Sequence, residues 1–419
     1  MSLRDFLEKL RLEGLLLNIE ERVSPEFEAP KIAREHSKPI FFKDVAGKKA
    51  VMNVISSREI LALALGVRKE EIVRYLAGVK PEGEIKIVEE MPFLERQFKA
   101  DLSKLPIMRH YREDAGKYIT AGVVISRLGE EYNASVHRML VLDKRTLAVR
   151  LVPPRHCYLM HKKAAEQRRE LPVGVAIGVD PLFLLAACTR VPECREFQYT
   201  SALSGKPLEL YELENGVQVP DAEIVLEGYV DPEARAREGP FVDITGTLDI
   251  VREEPVIKLN RIYMRRDAIY QGILPGGSEH KLLMGVPYEP KIYKTVGEVA
   301  RVRNVLLTEG GCCYFHAVVQ IEKQTEGDGK NAILATFTAH PSLKHVVVVD
   351  DDIDIYNQVE VEYAIATRVR GDRDILIIPR ARGSSLDPAI AEDGTTTKVG
   401  IDATKPLIGR EKFKRVEME

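Results

Sequence analysis

Tryptophan is absent from the sequence, and cysteine is scarce. The five cysteines, Cys157, Cys188, Cys194, Cys312 and Cys313, form an odd set with no CxxC pair. That pattern excludes a disulfide framework and argues against a cysteine-built zinc site, so the thiols are expected to be buried and free. No apolar run approaches the roughly 18 residues that crossing a bilayer requires. The opening MSLRDFLEKL is interrupted by Arg4, Asp5, Glu8 and Lys9, which leaves no apolar core for a signal peptide. These absences point to a cytoplasmic globular protein with no membrane span. Charge of one sign is missing too: 61 basic and 64 acidic residues intermingle to a net −3, so no positive field is available to gather nucleic-acid phosphates. The richest basic stretch, His161 to Arg169, has helical spacing and reads as a solvated helix face.

What is present begins with length. At 419 residues the chain exceeds one ordinary core, and three domains are expected: 1–105, 106–300 and 301–419. In the first, Leu3, Phe6, Leu7 and Leu10 follow i, i+3, i+4, i+7 behind a Ser2/Asp5 capping box, which predicts an amphipathic helix. Two short strands around Gly47 and a helix over 58–65 stopped by Gly66 make this a small α/β domain. From Tyr118 onward β-branched runs dominate, at 118–125, 135–142, 148–152, 173–177, 223–230 and 256–264, with helices near 160–170 and 181–188. Many strands with few crossover helices predict a mostly antiparallel barrel or sandwich. Strands at 314–321 and 345–349 and a helix at 359–367 give a second α/β domain. The fold class is therefore α+β, a central β domain flanked by N-terminal and C-terminal α/β domains.

Asn133, His156 and Glu196 offer oxygen and nitrogen donors of mixed hardness that suit Mn²⁺ or Mg²⁺ better than a thiolate-loving metal. Scattered as they are, such residues are more often unrelated surface or core groups. In Asn133-Ala134-Ser135-Val136-His137-Arg138, alternation places Asn133, Ser135 and His137 on one strand face and Arg138 on the other, unless a bulge re-aims it. An Arg on a half-buried strand needs an anion. Glu238 and Asp243 flank a Gly-Pro turn able to bring two carboxylates together. One carboxylate paired with Arg beside another that can hold a proton is an acid-catalyst arrangement, and a solvated acidic loop is the plainer reading.

Seven segments, GKYIT (116–120), NASVHRM (133–139), EFQYTSALSGKP (196–207), EIVLEGYVDP (223–232), EGPFVDITG (238–246), VVVVDDDIDI (346–355) and KVGIDAT (398–404), resemble in order those of the UbiD decarboxylase family. The resemblance covers most of the chain. It implies that the central domain is a flavin-binding split barrel and that the C-terminal domain makes a homodimer. It implies prenylated FMN, supplied by a separate flavin prenyltransferase, with its phosphate bridged to the protein by Mn²⁺ or Mg²⁺ and accompanied by K⁺. Asn133, His156 and Glu196 match the family's metal ligands, with His161 as competitor to His156. Ser135, Val136, His137, Arg138 and Arg155 fall in the matching cofactor segments, and Lys398 matches a lysine near the cofactor phosphate. Arg138, Glu238 and Asp243 match the catalytic constellation, Asp243 standing where ferulic acid enzymes carry Glu. The resemblance implies that the flavin adds to an α,β-unsaturated or aromatic acid and accepts the electrons released with CO₂, after which Asp243 protonates the carbon.

The chain is compact for that family and its charge-rich composition suits thermophilic ion-pair networks. It therefore most resembles the archaeal branch that converts trans-anhydromevalonate 5-phosphate to isopentenyl phosphate. Arg155, His280 and Lys281 are candidate partners for the substrate phosphate. A 4-hydroxy-3-polyprenylbenzoate or other aromatic acid is the alternative substrate. A metal-dependent hydrolase and a noncatalytic assembly subunit are the alternative functions.

Overall fold

A computed structural model describes residues 1–416, which fall into two compact units, one of residues 1–66 and 79–283 and one of residues 67–78 and 284 onward. The first unit opens on α1 (Leu3–Leu12), where the Ser2 hydroxyl accepts the Asp5 N–H and the Asp5 carboxylate accepts the Ser2 N–H. Leu3, Phe6, Leu7 and Leu10 are all buried, as the helical spacing predicts. Strands β1 (Leu17–Val23), β2 (Ile40–Val45) and β3 (Lys48–Met52) form one sheet, and α2 (Arg58–Leu65) ends at Gly66, whose left-handed backbone costs a glycine little.

The rest of this unit is built on a nine-stranded sheet with every pairing antiparallel. Its members are β4 (Arg96–Lys99), β5 (Tyr118–Ile119), β6 (Val123–Leu128), β7 (Glu131–Val136), β8 (Met139–Val141), β9 (Thr146–Val149), β10 (Leu171–Val179), β11 (Ala222–Glu238) and β14 (Arg252–Met264). The order is β5-β8-β9-β14-β11-β10-β6-β7, with β4 pairing on β14. Between β11 and β14 lies a separate hairpin, β12 (Phe241–Val242) with β13 (Leu248–Asp249). After β14, strand β15 (Ile269–Gly272) leaves the large sheet and joins β3 in parallel. Leu147, Val173, Val175, Leu226, Ile257 and Ile262 from the large sheet share one core with Phe42, Ala50 and Met52 of the first sheet. The β-rich reading is thus correct, but two of its runs are split. Tyr118–Ile125 breaks at 120–122 and Ser135–Leu142 breaks at 137–138, so His137 and Arg138 lie between strands. At the first break Gly122 leaves room where a Cβ would strike Met139 and Val175. Three helices of this unit bear on the site, α3 (His156–Glu166), α4 (Pro181–Cys188) and α5 (Glu196–Ser204). Helix α3 starts earlier than its apolar spacing suggests, directly after Pro153-Pro154 and Arg155.

In the second unit α6 (Glu289–Gly297), α7 (Asp328–Ala339) and α8 (Gln358–Arg368) accompany five strands in the order β16 (Val302–Leu307), β17 (His316–Ile321), β18 (His345–Asp350), β20 (Thr395–Ala403) and β19 (Ile375–Arg382). The helix Ile72–Gly78 belongs here as well, with Val73 buried against Ile292 and Val296. The acidic run after β18 is structural: Asp350 is buried and ion-paired with Arg368 and Arg410. Among the described residues no helix is long and apolar enough to cross a membrane.

Candidate active site

Arg138 is the centre of the site. It sits in the break between β7 and β8, where the His137 N–H donates to the Gly122 carbonyl and the Arg150 N–H to the Arg138 carbonyl. Its guanidinium is forked onto Glu238, Nε to Oε1 at 2.9 Å and Nη2 to Oε2 at 2.8 Å. Nη1 donates to Asp243 Oδ2 at 3.2 Å, and Nη2 also donates to Asp249 Oδ2 at 2.8 Å. Glu238 ends β11 and Asp243 follows β12. The turn between them holds Gly239 at φ 95°, where a Cβ would crowd the backbone of Ile250 and Val251, and a cis bond to Pro240. The expectation that a Gly-Pro turn gathers both carboxylates is met.

The Glu238 side chain is fully buried and that of Arg138 is 10% exposed, so the pair is well desolvated. Burial alone would lower the guanidinium's pKa, yet hydrogen bonding to Glu238 and the charges of Glu238, Asp249 and Asp243 hold it above the ordinary value. The Phe241 ring lies 4.7 Å from the guanidinium carbon and 4.6 Å from the Tyr118 ring. The Tyr118 hydroxyl accepts the Gly239 N–H, and burial, then the nearby Glu238 charge, raise its pKa. Phe241 and Tyr118 therefore wall one side of the Arg138 cluster.

A second cluster is joined to the first through adjacent residues. Asn133 on β7, Ser135 and His137 share a face as expected: Ser135 Oγ lies 2.8 Å from both Asn133 Oδ1 and His137 Nε2, and His137 Nδ1 lies 2.8 Å from the Arg150 carbonyl. Burial brings His137 down to about 4. Val136 ends β7, partly exposed. Glu196, the first residue of α5, lies 3.5 Å from Asn133 Nδ2 and accepts the Ala134 N–H. Burial pushes its carboxyl up to about 7. His156, the first residue of α3, offers a ligand atom within 4.8 Å of those of Glu196 and Cys194. Arg155 precedes it, and its charge contributes to lowering both His156 and His137. His161 is elsewhere: buried, it donates through Nε2 to the Asp231 carbonyl.

Three readings need correction. His161 is not part of a solvated basic face, although Lys162 and Lys163 are exposed in ion pairs with Glu166 and Glu131. The thiols are free, but Cys188, Cys194 and Cys312 are only half-buried, and Cys194 Sγ stands 3.1 Å from His156 Nδ1. Arg138 is not simply on the opposite strand face, because the strand ends before it. Asp249 and Cys194 were not singled out from sequence. Neither carries a sequence signal: Asp249 reaches the guanidinium only through the β12–β13 hairpin, which sets it opposite Phe241, and Cys194 joins His156 and Glu196 from the turn before α5.

His280, in the helix Ser278–Gly285, accepts the Gly276 N–H; burial lowers its pKa while the Asp243 charge opposes, so the two groups are close. Lys281 follows it and adds its own charge. Lys398 lies on β20 of the second unit, its Nζ donating to the carbonyls of Pro341 and Leu343, and burial brings it to about 8.

Comparison with known proteins places this geometry. Three family models match in succession: the 3-octaprenyl-4-hydroxybenzoate carboxy-lyase N-terminal domain over residues 7–79, the Rift-related domain of the same carboxy-lyase over 86–278, and its C-terminal domain over 281–403. The anhydromevalonate phosphate decarboxylase of Methanosarcina mazei is 58% identical over 416 residues, 99% of each chain. Among solved structures, the UbiD-class enzyme HmfF from Pelotomaculum thermopropionicum in complex with FMN is 37% identical, with a TM-score of 0.97 over 100% of this chain and 97% of that one. An evolved dimeric form of that enzyme in complex with prFMN is 35% identical, with a TM-score of 0.91 over the same shares.

Proposed function

The chain belongs to the UbiD family of carboxy-lyases, and from that premise we propose that it decarboxylates trans-anhydromevalonate 5-phosphate to isopentenyl phosphate with prenylated FMN. The observation that carries the reading is the Arg138 fork. Glu238 fixes the plane of the guanidinium through two bonds, leaving Nη1 turned toward Asp243. In our reading Arg138 holds the substrate carboxylate and Glu238 is a positioning residue that aims it. Asp243 then delivers a proton to the carbon that has lost CO₂. When bound, the cofactor supplies the electron sink for that carbon. Phe241 and Tyr118 keep water from the same atom.

The residues present fit a divalent ion. His156 and Glu196 offer a nitrogen and an oxygen within 4.8 Å of each other, and Asn133, whose Nδ2 stands 3.5 Å from Glu196, would add its amide oxygen once the amide turns; together they would hold Mn²⁺ or Mg²⁺ at the cofactor phosphate. Ser135, Val136, His137, Arg138 and Arg155 lie along the same segments, and with K⁺ they complete our assignment of the cofactor site within this unit; the assignment of Lys398 to the cofactor phosphate rests on the family resemblance alone. For the substrate phosphate we assign Arg155, His280 and Lys281, the charge interaction of His280 with Asp243 being the support for the latter two. The division into domains at about residues 105 and 300 is likewise our proposal, as are a flavin prenyltransferase as cofactor supplier and a homodimer made through the C-terminal domain.

The test is co-expression with a flavin prenyltransferase followed by CO₂ release from candidate acids. Anhydromevalonate phosphate should turn over, and faster release from a polyprenylated hydroxybenzoate would overturn the substrate assignment. In Asp243→Asn, metal and flavin should remain bound while solvent deuterium fails to enter product. Normal label incorporation would remove Asp243 from the mechanism.

A further inference from the structure

We propose that Cys194 is an additional ligand of the cation site, and that it lets this site close around a thiophilic divalent ion, Zn²⁺, through Asn133, His156, Cys194 and Glu196. The inference rests on the metal-site reading above. Ligand atoms of His156, Cys194 and Glu196 lie within 4.8 Å of one another, and Sγ is already 3.1 Å from Nδ1. Zinc takes sulfur at about 2.3 Å and nitrogen or oxygen at about 2.0–2.1 Å in a tetrahedron, whose edges are then roughly 3.3–3.8 Å. Binding therefore needs Sγ and Nδ1 to part slightly while the wider pairs close by up to about 1 Å. The backbone supports the placement: Glu193 and Cys194 have φ 58° and 54°, two consecutive non-glycine residues in the left-handed region immediately before α5. The strained step directs the thiol and the Glu196 carboxylate toward His156.

Donor chemistry gives the consequence. Asn, His and Glu alone favour hard ions, which keep several further positions open, whereas a thiolate shifts preference toward zinc. As the zinc–sulfur bond forms, the thiol proton leaves to solvent; no oxidant or reductant is involved. Four protein donors saturate zinc and leave no position for a phosphate oxygen. Zinc should then oppose flavin binding at the site where manganese supports it.

The experiment uses the full-length chain without cofactor, loaded with one equivalent of Zn²⁺ and read by X-ray absorption at the zinc edge. We expect one sulfur at about 2.3 Å, absent in Cys194→Ser. Zinc affinity should fall at least about tenfold in that variant, the scale typical of weakening a site, while manganese affinity moves less. FMN titrations should show weaker binding with zinc than with manganese in the wild type, and equal binding in Cys194→Ser. Wild-type zinc surrounded by nitrogen and oxygen alone, or FMN affinity indifferent to zinc, overturns the role of Cys194 while leaving the metal site standing. Zinc and manganese affinities unchanged in His156→Ala would overturn the metal-site reading itself. Matched circular-dichroism melts confirm that the variants are folded.

Discussion

At Arg138 one side chain is asked to do two things that compete. Its fork is committed to Glu238 and shared with Asp249, yet in the proposed reaction it also presents an N–H to the substrate carboxylate. Glu238→Gln should therefore lower kcat by about a hundredfold or more, because misplacing an orienting group by even 1 Å costs that much. Arg138→Lys should not restore activity, since a point charge cannot reproduce the fork; steady-state assays of both variants check this. His137 gives a second prediction. The unfolded chain protonates it near pH 6.5, whereas the folded chain refuses the proton until about pH 4. Unfolded molecules bind the proton first, so stability falls as pH drops through that window, by roughly 3 kcal/mol. Urea midpoints measured from pH 7 to 4 should fall, and fall less in His137→Gln. In the neutral ring, Nδ1 carries the hydrogen that the Arg150 carbonyl accepts, so Nε2 competes with Asn133 Oδ1 for the one Ser135 hydroxyl hydrogen. Most of these residues were legible from sequence because the motif that carries Arg138 is contiguous. Asp249 was not, since only the hairpin brings it to the guanidinium.

At the scale of elements, alternation located the β-rich region but could not see where a run ends. A pleat reads the same on both sides of a break, so 118–125 and 135–142 passed as single strands although Gly122 and His137-Arg138 interrupt them. The longest strand, β11, carries another irregularity that no pattern announces. Its register with β14 shifts between Glu227 and Gly228, and a Cβ at Gly228 would collide with the Lys258 carbonyl and the Leu259 backbone. Backbone cannot move aside as a flexible side chain can. Gly228→Ala should therefore destabilise by about 2 kcal/mol or more, the range of overpacked cores, and chemical denaturation will measure it. Because β11 ends at Glu238, the same variant should also disturb the Arg138 fork.

For the molecule as a whole, the C-terminal sheet offers a surface consistent with self-association. Strand β19 is last in the order β16-β17-β18-β20-β19, and Ile375 and Ile377 on it are 39% and 62% exposed. An apolar edge strand invites pairing. For the homodimer proposed above, Ile377→Lys should shift sedimentation toward the monomer without altering the far-ultraviolet spectrum; sedimentation unchanged from the wild type would place any interface elsewhere. Sequence could suggest the partner face but not the two compact units, since composition does not record which segments cross from one to the other. The helix Ile72–Gly78 does so, and its Val73 is buried against Ile292 and Val296. On the ribosome this helix is made long before its partners. At about 5–20 residues per second it waits on the order of tens of seconds, with Ile72, Val73 and Leu76 uncovered until the chain passes α6. The nascent protein thus carries an early adhesive spot that only late translation can hide, and a transcript truncated before α6 would release a chain on which it stays open.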